Sequence, residues 1–173
     1  MSKLGSVFDI HPVITPVDLQ TGANTGDWIN MANAQHAVLV FHSTVGTAAD
    51  DYTITLLQAQ DNAATGSKAL NIPSGASTLA WKKQAATNLT GTSVWSDASG
   101  DVSTNTMTNA TNAEQDSLVV IEIPGDILDA DNGFQYVSIT VADIGGNAQL
   151  GCAYMLLFGL RYPARPDGVR SPL

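Results

Sequence analysis

The sequence predicts an all-β domain, an antiparallel β-sandwich or jelly roll of about eight strands with extended N- and C-terminal arms. Short runs of β-branched and aromatic residues, bounded by Gly, Asn, Asp, Ser and Pro, recur along the chain. No segment places apolar residues at helical spacing over three turns, so the crossover helices that parallel strands need are not expected. With 173 residues, 44% of them hydrophobic, the chain can bury the core of one compact domain.

The first strand signal falls in residues 7–17, where apolar residues alternate loosely around Pro12 and Pro16. Proline cannot donate to a β-ladder, so residues 1–20 are predicted to form an N-terminal arm or an edge strand. Residues 36–41 are apolar after their histidine, a pattern typical of a central strand buried on both faces.

The middle of the chain is less regular. Tyr52, Ile54 and Leu56 alternate with more polar residues and predict a half-buried strand. Residues 63–77 are interpreted as a loop and residues 78–84 as another strand. Residues 85–116, rich in Thr, Asn and Ser, are predicted to be surface strands and loops.

Strong strand signals return near the end of the sandwich domain, which is assigned to residues 21–160. Residues 117–123 form a strand signal that stops at Pro124 and Gly125, a turn pair. In residues 134–141, period two puts Val137, Ile139 and Val141 on the predicted core face. The apolar residues 149–158 are predicted to pair with 134–141 as a hairpin.

Residues 161–173 differ from the rest and are assigned as a C-terminal arm. They hold three of the seven basic residues and one acid, a net charge of +2, against -11 for residues 1–160. Their three prolines favour an extended course. Two interpretations stay open, an arm that lies on a neighbouring subunit and a solvated terminus.

Charge excludes two classes of partner. The net charge of -9 opposes binding to nucleic acid or to an anionic membrane. The apolar run 153–160 is too short to span a bilayer, and residues 1–7 carry no apolar signal region. Cys152 is the only cysteine, so an intrachain disulfide cannot form and synthesis in a reducing cytoplasm is expected.

Few residues of the sequence suggest a metal site or a reactive side chain. His36 and His42 face the same side of a predicted strand without a carboxylate between them, which does not predict a metal site. Cys152 lies in an apolar strand and is predicted to be a core residue whose pKa is raised. The acidic connector 126–133 lacks the ligand spacing of a calcium loop and is interpreted as a turn.

The common catalytic motifs are also lacking in the sequence. We therefore expect no catalytic residue, no cofactor and no metal, and a protein that is not an enzyme. Plentiful strand signals without a reactive site favour a structural subunit.

Three stretches carry a family resemblance: LGSVFDIHPVITPVDLQTGANTGD at 4–27, GFQYV at 133–137 and VADIGGNAQLGC at 141–152. Together with Arg161 and Tyr162, they resemble small structural proteins encoded by tailed bacteriophages. The resemblance implies a virion component, specifically a head decoration or cement protein, made in the host cytoplasm and carried on the outer capsid surface.

Such a protein acts through repeated contacts multiplied by symmetry. The expected partners are the major capsid protein and other copies of the chain in a homotrimer, with neither nucleic acid nor a membrane. The candidate capsid or subunit interface comes from the two arms: Phe8, Ile10, Val13, Ile14, Arg161, Tyr162, Arg165 and Arg170.

Alternative functions remain. A carbohydrate-binding sandwich could use Trp28, Trp81 and Trp95 as stacking platforms, although burial of these indoles in the core is the favoured interpretation. A minor tail or neck protein is a second alternative. A hydrolase that uses aspartates ranks last, because no pattern localises a site.

Overall fold

The computed structural model describes residues 7–73 and 79–161, which form an antiparallel β-sandwich. The strands of this part of the chain are β1 (Phe8–Asp18), β2 (Asn24–Thr25), β3 (Ile29–Asn30), β4 (His36–Ser43), β5 (Thr53–Ala59), β6 (Lys68–Ala69), β7 (Ala80–Ala85), β8 (Ser96–Asp97), β9 (Val102–Ser103), β10 (Thr106–Thr108), β11 (Asp116–Pro124), β12 (Tyr136–Val141) and β13 (Leu150–Phe158). Short 3₁₀ turns cover Leu19–Thr21, Ser99–Asp101, Gly125–Ile127 and Ala130–Asn132.

The strands form two sheets. The six-stranded sheet has the order β1-β13-β4-β11-β7-β8, and the seven-stranded sheet has the path β2-β12-β5-β10-β9 with β3 beside β12 and β6 beside β5. Among the seven strands of six or more residues, consecutive strands lie in opposite sheets with two exceptions. β1 and β4 share the six-stranded sheet, and so do β7 and β11, with short strands of the other sheet between them in the chain. Crossings of this kind are typical of jelly-roll sandwiches.

The core lies between the sheets and is supplied by alternate residues of each long strand. Val137, Ile139 and Val141 of β12 are fully buried, which confirms the core face predicted from period two. Leu39 and Phe41 of β4 face them from the six-stranded sheet and are also fully buried.

β4 is central, between β13 and β11, as predicted. Its burial on both faces is only partly right, because Val38 and Val40 on its outer side are half-buried. β4 is apolar on both faces, although only its inner face is covered by the other sheet.

Within the predicted N-terminal arm or edge strand, β1 (Phe8–Asp18) forms an edge strand. β1 pairs with β13 along its length, with irregular register between Pro12 and Ile14. This bulge turns two successive residues inward, so Val13 and Ile14 are 4% and 6% exposed and belong to the core.

The predicted hairpin between the last two strands is wrong. β12 lies in the seven-stranded sheet between β2 and β5, whereas β13 lies in the other sheet between β1 and β4. The connector 142–149 is long enough to cross the gap of about 10 Å between packed sheets. Ile144 in this connector is buried in the core, and its burial favours the crossing between the sheets.

The acidic connector 126–133 forms two 3₁₀ turns, in agreement with its interpretation as a turn. The Asp129 carboxylate accepts hydrogen bonds from Lys68 Nζ and from Asn132 Nδ2. Gly133 ends the second turn at φ +81°, a conformation that suits glycine.

Tyr52 anchors a buried polar cluster at one end of the sandwich. Its hydroxyl lies 2.6 Å from Ser117 Oγ, which is 3.2 Å from Ser43 Oγ. Burial raises the pKa of Tyr52 to about 12.

Stability should therefore fall between about pH 10 and pH 12, because the unfolded state loses the Tyr52 proton first while the folded state retains it. The loss amounts to at most about 3 kcal/mol. Tyr52→Phe should cost about 1 kcal/mol at neutral pH, through the lost hydrogen bond, and should flatten the alkaline decline. Urea unfolding of both proteins across this pH range measures the effect. A decline that persists unchanged in Tyr52→Phe would show that another group causes it.

Candidate interaction surface

The outer face of the six-stranded sheet is unusually apolar. A cross-strand row runs Pro12, Tyr154, Val40, Val120 and Trp81, all with outward side chains. Tyr154 is 37% exposed and Trp81 is 43% exposed. We call the outward side of β1, β13, β4, β11 and β7 the apolar face.

A neighbouring row extends the same surface. It joins Ile10, Leu156 and Val38, and it ends at Glu122 on β11. Ile10 is 51% exposed, and Leu150 at the start of β13 is 56% exposed. Large apolar side chains are thus exposed to solvent over several adjacent strands rather than scattered singly.

The outer face of the seven-stranded sheet has the opposite character. Thr106, Thr55 and Thr140 form one cross-strand row, and Thr108 lies beside Thr53 with 2.6 Å between their Oγ1 atoms. Threonine favours strands and hydrogen-bonds to water, so this face suits contact with solvent. One outer face of the sandwich therefore suits contact with protein, and the other suits contact with water.

Two histidines of β4, His36 and His42, lie on the apolar face, and both have local partners. His42 Nε2 lies 2.8 Å from Asp116 Oδ1, and Asp116 Oδ2 accepts a hydrogen bond of 2.8 Å from the Leu89 amide. His36 stacks on Phe158 with 5.2 Å between ring centroids. Sequence reasoning placed the histidines on one side of the strand, as found, but missed Asp116, which is 74 residues away from His42.

Cys152 lies on the apolar face, directly across from His42. It is half-buried, so its prediction as a core residue is wrong. Gly151 and Ala153, its neighbours in β13, point inward instead. Partial burial raises the pKa of the Cys152 thiol, in agreement with the predicted direction.

A cleft of about 350 Å3 opens at one edge of the apolar face, between Trp81, Trp95 and Val120. Trp95 is 45% exposed, and Lys83 Nζ lies 4.7 Å from the centroid of its ring. Trp28 is half-buried. The expected burial of the three indoles in the core is therefore wrong, and two of them form a surface feature.

A concavity of about 460 Å3 lies at one end of the sandwich, bordered by Met31, Gln35, Gly125, Phe134 and Gln135. The residues that line it include no acid, base or thiol. Within residues 7–73 and 79–161, no three His, Cys, Asp or Glu side chains group in a way that could hold a metal ion.

Those predicted interface residues that the structure describes do not share one surface. Phe8 is half-buried against Phe158, with 5.5 Å between ring centroids, and Ile10 lies on the apolar face. Val13 and Ile14 pack in the core and are unavailable to a partner, which corrects their assignment. The remaining positions are at the C-terminal end: the Arg161 amide donates to the Asn33 carbonyl, and Tyr162, Arg165 and Arg170 lie outside the described residues.

Comparison of the chain with protein-family models, with curated proteins and with solved structures returns no match. Within the described ranges, no helix has the length and apolarity that a membrane crossing requires.

Cys152 provides a native probe of this surface. Because burial disfavours its thiolate, the rate of alkylation by iodoacetamide should rise with a midpoint above the ordinary pKa of a cysteine. In urea the midpoint should return to the ordinary value. Rates measured by mass spectrometry from pH 7 to pH 10 test this expectation. A folded-state midpoint at or below that of the unfolded chain would contradict it.

Proposed function

We propose that this chain is a non-enzymatic capsid decoration protein of a tailed bacteriophage. In this role it binds the major capsid protein on the outer surface of the head as a homotrimer and bridges neighbouring capsid subunits. The observation that carries the proposal is the contrast between the apolar face and the threonine-covered face, because a subunit of a larger assembly needs one surface suited to protein and one suited to water.

The sandwich body supports the same role. Two sheets packed on a common core give a rigid unit, and rigid units lose little entropy when they are ordered on a lattice. Weak contacts then become strong when symmetry repeats them over a shell. The sequence resemblance to phage structural proteins supplies the link to a virion.

Binding to heads tests the proposal. Purified chain added to heads that lack it should bind saturably, on the order of hundreds of copies per particle, and should raise the temperature at which the heads rupture. Quantitative mass spectrometry and thermal release of DNA provide the two measurements. A copy number of about a dozen would instead indicate a neck or tail protein. A chain that neither binds heads nor occurs in purified particles would refute the virion role.

Carbohydrate binding is the second candidate, and the exposure of Trp81 and Trp95 is the observation that favours it. Sugars stack on indole rings, but they also need hydrogen-bonding side chains. The cleft is bordered by Trp81, Trp95 and Val120, so such groups would have to come from its rim.

Glycan-array binding distinguishes this candidate. If it is correct, the wild-type chain should bind a defined glycan, Trp95→Ala should abolish binding, and Thr55→Ala on the opposite outer face should leave binding unchanged. Under the decoration proposal, we expect no glycan signal that depends on Trp95.

A further inference from the structure

We infer that the apolar face is a self-association surface, and that its occupant is a second copy of this chain. The inference concerns the chain alone and does not require the virion role. It follows from the area of the face, from its few charged side chains, its tyrosine and tryptophan, and from the prolines that disfavour strand pairing at the adjacent edge strand β1.

The extent of the face matches a protein interface. The face has five strands at about 4.8 Å spacing, and their lengths of six to eleven residues average nearly nine at about 3.4 Å each, which defines a surface of about 24 by 29 Å, or about 700 Å2. The largest apolar patch on a typical monomer covers about 300–600 Å2, and each partner in a stable complex buries about 800 Å2. A second folded chain fits this extent, whereas a small ligand would leave most of the face exposed.

The charge of the face fits a copy of itself. The chain carries 16 acidic and 7 basic residues, so an interface between copies that included the average surface would be repulsive. Charged side chains are few on the apolar face: Asp116, whose carboxylate contacts His42, Glu122 and Lys83. Asp97 on β8 lies beside Trp81 at the margin of the face. Two copies that meet through this face therefore bring fewer charges together than two average surfaces would.

The composition of the central row is also that of an interface. Tyr154 lies in this row between Pro12 and Val40, and Trp81 ends the row beyond Val120. Tyrosine and tryptophan are enriched where proteins meet, because they offer a large apolar area with few rotatable bonds.

The edge of the sheet argues for contact through the face. β1 is the edge strand beside β13, and an open edge can recruit another chain by strand pairing. Pro12 and Pro16 remove two backbone donors from β1, and Asp9 adds a charge. Strand pairing of β1 with another chain is thus disfavoured, so contact between copies is expected through the adjacent apolar face.

Charge placed on the face tests the inference in the full-length chain. Light scattering coupled to size exclusion should give a mass of at least about 36 kDa for the wild type, twice the 18.1 kDa of one chain. Tyr154→Glu should weaken self-association by at least about 30-fold. The matched control, Thr55→Glu on the outer face of the other sheet, should assemble as the wild type does.

A second variant and a second readout guard against misfolding. Ile10→Lys changes a side chain that is 51% exposed at the edge of the face, and it should also weaken assembly with an unchanged circular dichroism spectrum. Alkylation of Cys152 should be slow in the assembled wild type and faster on dilution and in Ile10→Lys.

Three results would overturn the inference. One is a wild type that is monomeric at about 100 µM, well above the Kd of stable interfaces. Another is an assembly that Tyr154→Glu and Ile10→Lys leave intact. The third is a monomer whose Cys152 becomes protected only on heads, which would assign the face to the capsid and leave capsid binding standing without the homotrimer.

Discussion

Burial of one side of every long strand between two sheets is the constraint on which the rest of this structure depends. Because side chains alternate along a strand, the inner positions must be apolar, as Leu39, Ile121 and Ile139 are. The outer positions are free of that requirement. Their composition can therefore differ between the sheets, and it does: the outer face of the six-stranded sheet is apolar, and that of the seven-stranded sheet carries rows of threonine.

Period two in the sequence was sufficient to predict the all-β class and the core face of β12, because both depend on local alternation. It could not predict that β12 and β13 lie in different sheets. Pairing partners are selected by the whole core and by connectors such as 142–149, and neither is encoded within a single strand. The β1 bulge, which buries both Val13 and Ile14, is likewise invisible to simple alternation.

Residue type alone misplaces the surface features, because cysteine and tryptophan are usually buried and so predict core positions for Cys152 and Trp81. Their parity indicates the opposite: Cys152 shares a face with Tyr154, and Trp81 shares a face with Lys83. Strict alternation, counted from one inner residue of each strand, predicts outward positions for both side chains. The contact of His42 with Asp116 joins residues 74 apart in the chain, so only the tertiary structure shows it.

An apolar face on an acidic chain sets two forces against each other. The net charge of -9 repels copies over about 8–10 Å at physiological salt, while burial of the face acts only at contact. Added salt screens the repulsion without weakening the apolar contact, so self-association should strengthen as salt rises. Attachment to an oppositely charged surface would weaken under the same conditions. The net charge of -9 thus makes the inferred self-association sensitive to ionic strength, in the direction opposite to that expected for attachment to an oppositely charged surface.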